Sequence, residues 1–215
     1  MLRISLPKFL FKKGTTIRFS RKETKEDVSS SLKKNTSRAL VDSLEDPDPF
    51  IRAVSAEVLG RLGERSAVAP LIKALKDASK YVREKSAIAL GHIGERQAVP
   101  ALIATLNDES EEVRVTVAGV LGHLKDRLAV PALIKSLNDS SPIARMKSAI
   151  SLGIIGDPSA VAALFASLKD ENELVRKYAC EALGNIGRSA IPALLLALKD
   201  ERVRSHAAQS IIKIK

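Results

Sequence analysis

Residues 67–95 read AVAPLIKALKDASKYVREKSAIALGHIGE, and residues 98–126 read AVPALIATLNDESEEVRVTVAGVLGHLKD. Shifted by 31 positions, the two stretches share a leucine, an aspartate two residues on, a Val-Arg pair and a closing Leu-Gly-His. The leucines form a series, Leu44, Leu75, Leu106, Leu137, Leu168 and Leu198, with four spacings of 31 and one of 30. A period of this length marks a two-helix unit that cannot bury its apolar face alone and must stack on its neighbours. The sequence therefore predicts an all-α solenoid, and it places function on a surface and not in a pocket of catalytic groups.

The second helix of each unit is exemplified by Tyr81 to Ile93. Val82, Ser86, Ala89, Leu90 and Ile93 fall at helical spacing on one face, as do Val113, Val117, Val120, Leu121 and Leu124 in the next copy. A shorter helix precedes it, from Ala67 to Lys76, with Val68, Leu71, Ile72 and Leu75 as its apolar side. Gly63, Gly94, Gly156 and Gly187 stand where the second helices should end, and Pro100, Pro131 and Pro192 stand early in the following short helices, where a missing N–H costs little. Gly60, Gly91, Gly122, Gly153 and Gly184 lie inside the helices, and their recurrence predicts close approach of a neighbouring backbone.

A polar series accompanies the leucines: Asp46/Arg52, Asp77/Arg83, Asp108/Arg114, Asp139/Arg145 and Asp170/Arg176, ending in a compressed Asp200/Arg204. A carboxylate before a helix can cap its amides, and an arginine in the first turn can pair with acids of its own unit or the adjoining one. The series reads as a structural ladder, since each arginine travels with its own acid.

On the two stretches quoted above, the chain resembles HEAT repeats of the short, phycobilisome-lyase type over about residues 37 to 215. That resemblance implies a right-handed α-α superhelix of about six two-helix HEAT-like repeats. It implies much less about activity, because such repeats resemble one another mainly at stacking positions, in bilin lyase subunits, hydroxylases and binding scaffolds alike.

The net charge of +10 is unevenly placed. Residues 1–22 carry seven basic residues and no acid, whereas residues 39–215 carry 24 basic and 22 acidic ones. The sequence thus divides into a basic, flexible arm over 1–35 and a nearly neutral solenoid over 36–215. The arm offers Leu6, Phe9, Leu10 and Phe11 among its lysines, a composition suited to weak contact with an anionic surface and also similar to an organellar transit peptide. No apolar run approaches the ~18 residues that span a bilayer. Nucleic acid is not expected as a partner: there is no Trp, Tyr81 and Tyr178 are the only tyrosines, and the solenoid lacks a phosphate-tracking stripe. Cys180, the single cysteine, occupies a column otherwise held by Ala56, Ala87, Ala118, Ala149 and Ala208, which suits a packing residue and a reducing cytoplasm.

In HEAT-like stacks the second helices line the concave side. The positions that turn away from the core there predict a partner-binding face of Tyr81, Lys85, Ile88, His92, Thr116, Gly119, His123, Lys147, Ile150, Ile154 and Tyr178. Apart from Gly14, Gly119 alone stands outside the two repeating glycine columns, so a shallow apolar niche is expected between Ile88 and Ile150. The partner is another protein or peptide. No cofactor, metal site or catalytic residue is assigned: HExxH, GxSxG, GxxxxGK[ST] and GxGxxG are absent, and His92 and His123 share a column without an intervening carboxylate. The alternative implied by the resemblance is a protein-modifying enzyme or subunit, bilin lyase-like or hydroxylase-like, although the His-Glu dipeptides of the hydroxylases are missing.

Overall fold

The computed structural model describes residues 35–214. The arm predicted over 1–35 lies outside them except for its last residue, which is already helical. Helix α1 spans 35–42 and is followed by α2 (Pro49–Leu62), α3 (Val68–Ala74) and α4 (Lys80–Ile93). Then come α5 (Val99–Thr105), α6 (Glu111–Leu124), α7 (Val130–Ser136) and α8 (Pro142–Ile155). The chain closes with α9 (Val161–Ser167), α10 (Glu173–Ile186), α11 (Ile191–Ala197) and α12 (Arg204–Lys213). From α2 onward, long helices of 14 residues thus alternate with short ones of seven, the last long helix being cut to 10. The chain forms two compact units, one ending at Ile93 and the other beginning at Gly94.

Each local boundary has a chemical cause. Asp48, Ser110, Ser141 and Asn172 are the N-cap residues of α2, α6, α8 and α10, their side-chain oxygens accepting backbone amides of the first turn. At the other end Gly63 and Gly156 adopt φ 63° and 72°, a left-handed region that glycine enters without a Cβ penalty. Lys125 fills the corresponding position after α6 at φ 52°. Pro100, Pro131 and Pro192 sit at the first turns of α5, α7 and α11, each after a 3-10 turn.

In the first unit α2 packs against α4; in the second, α6, α8, α10 and α12 pack in succession with their short helices beside them. Leu59 and Leu90 are fully buried in the one, and Leu121, Leu152 and Leu183 in the other, together with the short-helix leucines Leu71, Leu102, Leu133, Leu164 and Leu194. Val120, Ile93 and Leu124, expected in the core, are only half-buried, because they lie toward the edge of the packed face or at the helix end.

Gly60, Gly122 and Gly153 make the predicted close approach. A Cβ placed on Gly60 would lie 2.5 Å from the Cα of Ala89, and one on Gly153 would lie 2.7 Å from the Cα of Ala182. Gly122 faces Ser151 in the same manner, at 2.8 Å from its Cα. There the buried Ser151 hydroxyl donates to the Ala118 carbonyl at 2.7 Å, which ties α8 to α6.

Candidate functional site

The Asp/Arg series runs along the loops that precede the long helices. Arg52 donates from Nε and Nη2 to both carboxylate oxygens of Asp77 at 2.7 and 2.8 Å, and from Nη1 to the carbonyls of Asp46 and Pro47. Arg114 holds Asp139, and Arg145 holds Asp170, with the same fork. Each arginine therefore reads its own loop through backbone oxygens and the next repeat through a carboxylate. The aspartates do not cap the helices themselves: their Oδ1 atoms accept the amides of Ser79, Ser141 and Asn172, residues that stand at the following helix starts. Elsewhere in the predicted ladder, Arg83 binds the carbonyls of Asp77 and Ala78, and Asp108 accepts the amide of Ser110.

The last rung differs. Arg204 follows Asp200 by only four positions, and Asp200 is bound by Arg202 at 2.8 Å. Arg176 keeps its carbonyl contacts to Asp170 and Glu171, while its buried Nε has no hydrogen-bond partner among the described residues.

The predicted binding residues fall into two sets. In the first unit Tyr81 and His92 are exposed, and Lys85 and Ile88 are half-buried. Lys85 Nζ pairs with Glu57 of the preceding long helix at 2.7 Å, and that bond holds the Glu57 carboxyl below its ordinary range. Lys80 places its ammonium 5.6 Å from the centre of the Tyr81 ring.

In the second unit Thr116, Gly119, Lys147, Ile150 and Tyr178 are half-buried, and His123 and Ile154 are exposed. The notch left by Gly119 is not empty. The stem of Lys147 crosses it, with Cδ 3.4 Å and Cγ 3.8 Å from the position a Cβ would take. Lys177 lies 5.4 Å from the centre of the Tyr178 ring. Two apolar residues of this surface escaped the sequence reading: Ile143 and Leu174, half exposed at 50% and 52%, near the starts of α8 and α10. They share the column of Tyr81 and Phe50, so the repeat register itself was the signal that could have found them.

Other chemistry is sparse. Cys180 is buried, and burial pushes its thiol up to about 12, which removes it as a nucleophile at neutral pH. Among the described residues no three His, Cys, Asp or Glu side chains come together to hold a metal ion, and no helix is long and apolar enough to cross a membrane. A shallow cleft of about 300 Å³ lies on the short-helix side, lined by Ile134, Leu137, Ala163, Ala166, Lys169 and Asp170. Its one carboxylate is already committed to Arg145, so it presents no acid/base pair.

Comparison with known proteins agrees with this architecture. The family model of HEAT repeats matches residues 37–110, 99–173 and 161–215. Among solved structures, a chain in the complex of CpcE and CpcF of phycocyanin lyase from Nostoc sp. PCC7120 is similar at 25% identity and a TM-score of 0.63. The match covers 96% of this chain and 80% of that one. A designed armadillo repeat protein in complex with the peptide (KR)4 is similar in fold at 22% identity and a TM-score of 0.60, over 82% of this chain and 98% of that one. No curated protein sequence matches significantly. The fold is of the all-α, HEAT/armadillo-like solenoid class, and the chain belongs to the HEAT-repeat family.

Proposed function

We propose that this protein is a non-catalytic interaction scaffold that binds a protein or peptide through the exposed face of its long helices, the concave side in repeats of this kind. The observation that carries the reading is the set of apolar side chains left in solvent on α8 and α10, Ile143, Ile154 and Leu174, around the half-buried Ile150 and Tyr178. Tyr81, Lys85, Ile88 and His92 form the corresponding surface of the first unit. No cofactor enters this reading. The protein acts in a reducing cytoplasm, where its one cysteine stays a packing residue, and the basic arm over 1–35 adds weak, salt-sensitive contact with anionic surfaces.

A second reading, a subunit of a protein-modifying enzyme of the bilin-lyase type, is favoured by the likeness to the phycocyanin lyase complex over nearly the whole chain. The two are separated by partner capture with wild type, Ile150→Asp and Lys135→Glu, alongside thermal unfolding. A scaffold loses a stoichiometric partner in Ile150→Asp and keeps it in Lys135→Glu, and the captured partner carries no covalent change. A chromophore newly attached to the captured protein would instead select the lyase reading.

A further inference from the structure

Glu57 and Lys85 stand 28 residues apart on α2 and α4 and form an ion pair of 2.7 Å. The same register on α6 and α8 joins position 119 to Lys147, but position 119 is glycine. The lysine is present and its carboxylate is missing.

Lys147 finds no substitute for that carboxylate. One turn away on its own helix stand Ile143, Ala144, Ile150 and Ser151, none of them acidic. No ion pair to Lys147 forms among the described residues. Its methylenes nevertheless lie along Gly119, so the stem is seated and the ammonium is carried on a partly ordered arm. A cation held this way costs less entropy to engage than a freely rotating surface lysine. On α8 and α10 the repeat register flanks this position with Ile143 and Leu174, exposed, and Ile150 and Tyr178, half-buried.

We propose that the Lys147 ammonium, its stem seated along Gly119, receives a carboxylate side chain of the bound polypeptide, an aspartate or glutamate flanked by apolar residues, which completes the ion pair that Glu57 provides within the first unit. The inference rests on the scaffold reading above and specifies its partner as an acidic, apolar segment. A phosphate chain is the poorer match, because Lys147, with Lys177 held beside the Tyr178 ring, offers no stripe for successive charges.

The test uses three fluorescent, end-blocked octapeptides, alternating leucine with glutamate, with glutamine or with lysine, titrated by anisotropy against the full chain. Wild type should bind the glutamate peptide at least about tenfold more tightly than the glutamine peptide. Lys147→Met and Gly119→Glu should erase that preference while unfolding no earlier than wild type, the second because the new carboxylate occupies Lys147 from within. Lys147→Glu should transfer the preference to the lysine peptide, and Lys135→Met, on the short helix α7, should change nothing. Equal binding of the glutamate and glutamine peptides to wild type, lost in Ile150→Asp, would overturn the carboxylate inference and leave the scaffold surface standing. Failure of all three peptides to bind would remove both.

Discussion

Arg114 and Asp139, 25 residues apart in sequence, meet through two parallel hydrogen bonds, Nε to Oδ2 at 2.7 Å and Nη2 to Oδ1 at 2.9 Å. The same arginine binds the carbonyls of Asp108 and Glu109 in its own loop. It therefore joins one repeat's loop to the next repeat's loop, and both side chains of the pair are largely shielded from solvent.

Arg114→Ala should lower stability by about 1–3 kcal/mol, since it leaves the Asp139 carboxylate short of a partner and two carbonyls unsatisfied. Chemical denaturation measures this. Binding on the long-helix face should persist at temperatures where the variant is folded.

The ladder also sets a pH dependence. The bond from Arg114 holds the Asp139 carboxyl below its ordinary range, and the bond from Arg52 does the same for Asp77. A depressed carboxylate contributes stability that is fully present above the unfolded value of about 3.9 and is lost as pH falls toward the folded value. The thermal midpoint should therefore change little from these groups between pH 7 and 5 and drop below about pH 4. Asp139→Asn should be less stable at pH 7 and lose less on further acidification. A wild-type and variant pair with parallel acid profiles would show that Asp139 is not coupled to folding.

The glycines separate stacking from surface. A methyl group on Gly153 would meet the Cα of Ala182 at 2.7 Å, so Gly153→Ala should cost about 1–3 kcal/mol. At Gly119 the nearest atom is a flexible lysine methylene at 3.4 Å, and Gly119→Ala should gain up to about 1 kcal/mol from helix propensity. Opposite signs in denaturant midpoints are the expected result.

Cys180 should resist thiol reagents in the native state. With its thiol pushed up to about 12 by burial, it should react with an aromatic disulfide at pH 8 only after denaturation. Rapid native labelling would show that the helix pair around it opens readily.

The repeat register made most of the fold legible in sequence. It located the helix pairs, the left-handed ends at Gly63 and Gly156, and the contact of Gly153 with the next backbone, because each follows from backbone geometry alone. It left open which acid each arginine takes, since Asp108 and Asp139 are both within an arginine's reach on paper, and only the loop path decides for the latter. Side-chain conformation was beyond it. The sequence predicted an apolar niche at Gly119, and the stem of Lys147 lies across that position. Ile143 and Leu174 were passed over because an apolar residue near a helix start reads equally as core or surface until the helix orientation is known.

The partner is expected on the long-helix face. The most direct measurement places a photo-crosslinking residue at position 150, on that face, and separately at position 135, on a short helix, and irradiates cells expressing each protein. A discrete crosslinked adduct is expected from position 150 and none from position 135. An adduct from 135 alone would put the interface on the short helices and overturn the scaffold surface.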